Sequence, residues 1–172
     1  MKLTHWLSVL LVAPAMALAQ GKPTDPQIAH IVVTANQIDV DAGKIAKSKS
    51  KNKEVQAFAQ QMITDHTAVN KQAGALAKKL GVKPEDNDTS KALKTGAAEN
   101  TASLKKLSGA KFDQAYVDHE VAYHQQVLDA IDKVLIPSAQ NAELKALIEK
   151  VRPAFQAHLD HAKHLQASLG KK

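Results

Sequence analysis

The 172-residue sequence contains no cysteine, and aromatic residues make up only 3% of it. The absence of cysteine excludes disulfide bonds, a thiolate nucleophile, zinc–thiolate sites, iron–sulfur clusters and lipid attachment to cysteine. Arg152 is the only arginine, so the 23 basic residues are almost all lysine, and the formal net charge is +6. Apolar residues still make up 44% of the chain, which is enough for one folded domain. Against this background, eight histidines are an unusual number.

The first nineteen residues have the pattern of a secretory signal peptide. Lys2 supplies a positive start, an apolar run follows from Leu7, and Ala17 and Ala19 form a small-x-small cleavage site. We therefore predict cleavage before Gln20, a periplasmic or envelope location, and a single helical domain over residues 20–172. No later stretch has eighteen consecutive apolar residues, so the mature chain is predicted to lack a transmembrane segment.

Common nucleotide-binding and hydrolase motifs are also missing, since no G-x-G-x-x-G, P-loop, G-x-S-x-G or H-E-x-x-H pattern occurs. Nucleic acid is not expected as a partner, because the mature chain has one arginine and no tryptophan for phosphate recognition and base stacking. The lysines between Lys44 and Lys53 have two interpretations. They are either an ordinary solvated surface or a site of weak contact with anionic components of the envelope.

Apolar residues recur at steps of three and four along the mature chain, which predicts helices from end to end. Asp25 and Ser138 are the predicted N-caps of the first and last long helices, and Pro137 is predicted to end the helix before the last one. The predicted fold class is all-α, an antiparallel four-helix bundle with one short connecting helix. The four long helices are predicted at about 26–49, 52–80, 111–135 and 139–169, and the short one carries Leu93 to Leu107.

Three histidines occupy helix positions at which the pattern calls for an apolar side chain. His66, His124 and His158 come from three different long helices, each near the middle of its helix. An up-down-up-down bundle would bring them to a similar level, and Asp39 of the first helix would complete the layer. Three imidazoles and a carboxylate in a bundle core are typical of a metal site, and neutral imidazoles suit zinc, copper, nickel or iron.

Further candidates flank these histidines. Glu120 lies one turn before His124 and His161 lies one turn after His158, so both are candidate ligands. The residues predicted to orient the imidazoles are Asp65, Asp113 and Tyr116. The alternative interpretation is a buried hydrogen-bonded network of His, Asp and Tyr that fixes the register of the bundle and binds nothing.

Three segments that carry these residues resemble a bacterial family called domain of unknown function 4142, whose members are often labelled predicted outer-membrane proteins. The segments are Asp65-His66-Thr67-x-x-Asn70, Phe112-Asp113-x-x-Tyr116-Val117 and Pro153-x-x-x-x-His158-Leu159. The resemblance implies a ferritin-like helical bundle, and the family's recurrent histidines correspond to His66, His124 and His158. Relatives usually carry glutamate where this chain has Asp39, and the Glu-x-x-His pairs of di-iron bundles are missing. The resemblance therefore implies the fold and not ferroxidase activity.

Two hypotheses about function follow, and neither assigns a catalytic residue. In the first, the chain is a periplasmic bundle that binds a transition metal at the histidine layer, for metal handling or protection against envelope stress. In the second, it is a non-enzymatic structural or interaction module with a buried polar network and a lysine-rich, envelope-facing surface. A redox oxidase would require carboxylate-rich bridging of two metals, which the sequence pattern does not indicate.

Overall fold

The structure, a computed structural model, describes residues 21–170. The predicted signal peptide, residues 1–19, lies outside this range. The described part contains five helices and no strand, which confirms the all-α prediction, and none of its helices is long and apolar enough to cross a membrane. The helices are α1 (Asp25–Lys49), α2 (Lys53–Lys79), α3 (Asp88–Lys105), α4 (Gly109–Ala130) and α5 (Ala142–Leu169).

The first helix begins one residue earlier than predicted. Its N-cap is Thr24, whose side chain forms a capping box with Gln27, so the prediction of Asp25 as the cap is wrong. Asp25 lies in the first turn, and its carboxylate accepts hydrogen bonds from the backbone N–H groups of Gln140 and Asn141 at 2.9 and 2.8 Å. This carboxylate therefore ties the start of α1 to the start of α5.

The end of α4 also differs from the prediction. The helix continues through a π-helical turn, Ile131–Leu135, and a last α-helical turn, Ile136–Ser138. Pro137 lies inside this last turn, so the helix ends at Ser138, three residues beyond its predicted end at Leu135. Ser138 does not cap α5. That cap is Asn141, whose side chain accepts hydrogen bonds from the first backbone N–H groups of the helix.

Four of the helices pack around a shared core in the cyclic order α1, α2, α5, α4. Neighbours in this order run antiparallel, because contacts that advance along one helix retreat along the next. The contacts that show this are Asn36–His66 and Lys47–Gln60 between α1 and α2, Asp65–His158 and Gln72–Lys150 between α2 and α5, and Asp118–Gln166 and Asp132–Arg152 between α4 and α5.

The remaining helix, α3, lies against α1 and α4 and runs parallel to α1. Near its start the Asn87 side chain donates to the backbone carbonyl of Gln27, and at its end Lys49 donates to the carbonyls of Leu104 and Lys105. It returns the chain along the length of the molecule, so α2 and α4 run in the same direction. The up-down-up-down order assumed from the sequence is therefore wrong, and the four core helices run up, down, down, up.

The core consists of two apolar clusters with a polar layer between them. One cluster lies towards the start of α1 and contains Ile28, Ile148 and Phe155, and the other lies towards the end of α1 and contains Phe58 and Met62. Six buried polar side chains from all four core helices form the layer between the clusters. They are Asn36, Asp39, His66, Glu120, His124 and His158, each at most 2% exposed.

Candidate metal centre

Three helices place one histidine each in the polar layer: α2 supplies His66, α4 supplies His124 and α5 supplies His158. Each occupies a core-facing position of its helix, and His66 and His124 are fully buried. One nitrogen from each ring lies within 4.8 Å of a nitrogen of both other rings. The sequence prediction that these histidines lie at a similar level is confirmed, although the helix order behind that prediction was different.

The His66 ring is held by Asn36 of α1. Asn36 donates its side-chain N–H to the backbone carbonyl of Val32 at 2.7 Å, so its Oδ1 faces His66 as an acceptor. His66 Nδ1 lies 2.8 Å from that oxygen and must donate to it. The lone pair of a neutral His66 is therefore on Nε2, which is buried, has no hydrogen-bond partner and lies 3.5 Å from Asp39 Oδ2.

The other two rings are oriented in the same way. His124 Nδ1 donates to the backbone carbonyl of Glu120 at 3.0 Å, and His158 Nε2 donates to Asp65 Oδ2 at 2.9 Å. The second nitrogen of each ring, Nε2 of His124 and Nδ1 of His158, is buried without a hydrogen-bond partner. Each of the three imidazoles thus uses one nitrogen to donate a hydrogen bond to an oxygen and keeps its other nitrogen without a partner, as metal-bound histidines do.

All three histidines favour the neutral form. Burial lowers the pKa of His124 to about 4, and burial together with the two neighbouring rings lowers the pKa of His66 well below its usual value. Burial also lowers the pKa of His158, against an opposing effect of Asp65. Neutral imidazoles have the free lone pair that a metal ion requires.

Two carboxyl groups lie beside the histidines. Asp39 of α1 and Glu120 of α4 are buried, and together with His124 they place three ligand atoms within 4.8 Å of one another. Burial raises the pKa of Glu120 to about 8, and burial and the charge of Glu120 raise the pKa of Asp39 well above its usual value. Tyr116 is buried next to them, where burial and the same carboxylates raise its pKa well above its usual value.

Phe155 closes the histidine layer on the side of the first apolar cluster. The centre of its ring lies 5.0 Å from that of His66, 6.2 Å from that of His124 and 6.1 Å from that of His158. The ring therefore packs against all three imidazoles on that side of the layer.

The other predicted site residues differ in how close they lie to the histidines. Asp65 contacts His158 as expected, whereas Tyr116 lies next to the carboxyl groups, and buried Asp113 lies two turns before Glu120 on α4. His161 is exposed, donates to Gln61 Oε1 at 3.2 Å and belongs to neither group of ligand atoms.

Asn36 and Phe155 are site residues that the sequence reasoning missed. Asn36 lies three residues before Asp39 on the same face of α1, among apolar core positions, and an amide at such a position is the signal that could have found it. Phe155 lies three residues before His158 on α5, but nothing in the sequence distinguishes a ring that packs on histidines from an ordinary core phenylalanine.

Comparison with protein families matches residues 11–165 to the family described as Domain of unknown function (DUF4142). Comparisons with curated proteins and with solved structures give no match. The family match covers most of the chain and includes every residue of the polar layer, and it confirms the resemblance found in the sequence. The chain belongs to the DUF4142 family.

Proposed function

We propose that this protein binds a transition-metal ion through His66, His124 and His158, with Asp39 or Glu120 as an additional carboxylate ligand. The observation that carries the proposal is the set of three buried ring nitrogens without hydrogen-bond partners, one on each histidine. The partner of each opposite nitrogen fixes which nitrogen keeps its lone pair. The three rings also lie close together, since one nitrogen of each lies within 4.8 Å of a nitrogen of the other two.

A ligand-free network explains this arrangement less well. Buried polar groups are normally hydrogen-bonded, and a network that fixes helix register stabilises the fold only when its members are satisfied. Here the inner nitrogens of the histidines have no hydrogen-bond partner, whereas Glu120 lies within reach of the Asp39 and Tyr116 side chains. A bound cation would supply the missing partner for the nitrogens, since three neutral imidazoles offer electron pairs and no proton to share.

The ligand set favours a borderline metal. Imidazole nitrogens suit zinc, copper, nickel and iron, and a carboxylate is compatible with each of them. Zinc–nitrogen bonds are about 2.0–2.1 Å long, so two nitrogens on one ion are about 3.3–4.2 Å apart. The ring nitrogens that lie within 4.8 Å of one another are therefore at most about 1.5 Å further apart than two ligands of one ion.

The fold and the cellular role belong to the same proposal. An up-down-down-up order with one long crossing connection is typical of ferritin-like bundles, and the path of α3 supports that assignment. The predicted signal peptide supports a periplasmic or envelope location, where the role would be metal handling or protection against envelope stress. Exposed Lys44, Lys47, Lys51 and Lys53 near the α1–α2 connection would then face anionic envelope components.

Metal titration of the metal-free protein tests the proposal. We expect one ion per chain by calorimetry or chelator competition, and an increase in Tm with added metal because the ion binds only the folded state. His124→Ala should lose most of the affinity, whereas the matched control His164→Ala removes an exposed histidine of α5 and should bind like wild type. Circular dichroism verifies that both variants are folded.

Three outcomes would contradict the proposal: no binding of any of the four metals, a Tm that ignores them, or equal losses in the two variants. A ligand-free network would give the first two. If His124→Ala still binds metal and replacement of the exposed histidines abolishes binding, the metal is on the surface.

A further inference from the structure

A cavity of about 40 Å³ lies directly beside the histidine layer, in the first apolar cluster. It is lined by side chains from all five helices and from the π-helical turn after α4. Its walls are aliphatic apart from Phe155 and one polar residue, Asn36. The aliphatic residues of the wall include Ile31, Val69, Val127, Ile131, Ile148 and Val151.

The cavity offers a water molecule only one polar side chain as a partner. Its single polar residue, Asn36, already donates to the carbonyl of Val32 and accepts from His66. A buried water needs two to four polar partners, and cavities lined only by apolar groups stay dry. The walls therefore favour an apolar occupant over water or a polar metabolite.

The size of the cavity restricts the occupant further. About 10–15 Å³ is needed for one water molecule, and a cavity of about 150 Å³ accommodates benzene. A volume of about 40 Å³ lies between these limits and suits a molecule of two or three heavy atoms. Ile131 and Leu135 of the π-helical turn line the cavity, and such turns often occur where a helix is adapted to a function.

The cavity shares two residues with the histidine layer. Phe155 lines the cavity and packs against all three imidazoles, and Asn36 lines it and holds His66. We infer that the cavity binds an apolar molecule of two or three heavy atoms, with dioxygen as its representative, and holds it next to the metal site. The inference that a molecule binds here depends only on the cavity. The role of that molecule at the metal rests on the proposed function.

Methyl NMR of the metal-free protein tests the binding step with dioxygen itself as the probe. Dioxygen is paramagnetic, so methyl groups around the cavity should relax several-fold faster under dioxygen pressure than under the same pressure of nitrogen. Val127 lines the cavity, and Val117, on the same helix in the second apolar cluster, is the internal control. Equal relaxation of the two methyl sets would overturn the inference.

A filling variant tests the position of the site. Ala130 lines the cavity and is only half-buried, so Ala130→Leu can extend into it with little strain. Ala122→Leu adds the same atoms to an exposed position of α4 and serves as the matched control. The first variant should lose the additional relaxation at Val127 and the second should retain it. Loss in both variants or in neither would place the dioxygen elsewhere.

The two proposals fail in different ways. Because the relaxation experiment uses protein without metal, an absence of dioxygen binding leaves the metal proposal untouched. If dioxygen binds but no metal does, the cavity is a binding site and its role at a metal is wrong.

Discussion

Replacing Asn36 by leucine tests how the histidine layer is held. Leucine has the same number and branching of heavy atoms as asparagine, although its methyl groups are bulkier, so Asn36→Leu removes the hydrogen bonds and keeps the branched shape of the side chain. Asn36 is 1% exposed, and its Oδ1 accepts from His66 Nδ1 at 2.8 Å. In the variant, His66 loses the acceptor that fixes its tautomer, and its Nε2 can carry the proton instead and donate it towards Asp39, whose Oδ2 lies 3.5 Å away.

The expected loss of stability comes from the buried polar groups that lose Asn36 as their hydrogen-bond partner. A buried donor left without a partner costs about 1–3 kcal/mol, and here both His66 Nδ1 and the carbonyl of Val32 lose the Asn36 side chain. The gain from burying leucine offsets part of this cost. We therefore expect the metal-free variant to lose about 1–3 kcal/mol in the free energy of unfolding, measured by denaturant titration.

Metal affinity should fall as well. Removing the group that orients a metal-binding histidine typically lowers affinity by about 10–100-fold, and we expect a loss in that range for the ion that gives the highest wild-type affinity. Nitrogen NMR of the imidazole rings gives a readout that does not depend on metal. It should show the proton of His66 on Nδ1 in the wild type and a substantial population with the proton on Nε2 in the variant.

Asn70→Leu is the matched control for this experiment. Asn70 lies one turn after His66 on α2, is half-buried, and its Oδ1 has no hydrogen-bond partner. The control should therefore change stability much less and leave the His66 tautomer unchanged. Equal losses of stability in the two variants, together with an unchanged tautomer in Asn36→Leu, would refute the assignment of Asn36 as the residue that orients His66.

The remaining predictions concern pH dependence and packing. In the metal-free protein the free energy of unfolding should fall as pH decreases from 6.5 to about 4, because folded His124, with its pKa of about 4, stays neutral while the unfolded histidine takes up a proton. Glu120→Gln should gain stability relative to wild type as pH rises from 4.5 to about 8, since the folded carboxyl keeps a proton that the unfolded one has lost; a difference that is constant in denaturant titrations from pH 4 to 8 would contradict this. Gly43→Ala should lose about 1–3 kcal/mol by thermal or denaturant unfolding, since an added Cβ would lie 2.9 Å from the backbone oxygen of Ala59. Gly74→Ala, with nothing within 4 Å of its Cβ, should gain up to about 1 kcal/mol, and a shift of both variants in the same direction would refute the packing argument.

The helices and the histidine layer were predictable because both depend on local periodicity. The seam that contains Met62, His66 and Val69 follows from steps of three and four residues, and all three side chains are buried. The direction of α3 was not predictable in this way. It depends on contacts such as that between Lys49 and the end of α3, which join residues more than fifty positions apart.

The site was predictable in its ligands and less so in its supporting groups. The spacing of His161 from His158 places both on one side of α5, but His161 lies one turn further along the helix, is exposed, and packs against buried Phe58 of the second apolar cluster. Asn36 was not recognised as the partner of His66, because the role of a polar residue on α1 becomes evident only when α2 is packed against it.

The path of α3 divides the polar layer between two helical hairpins. The hairpin of α1 and α2 contributes Asp39 and His66, and the hairpin of α4 and α5 contributes Glu120, His124 and His158. Neither hairpin holds all of the proposed ligands, and the helix between them supplies none of these. An ion in the layer would therefore link two halves of the chain. The affinity of the protein for the ion would depend on how tightly the two hairpins associate. The site would then form only at the end of folding, when the two hairpins have docked.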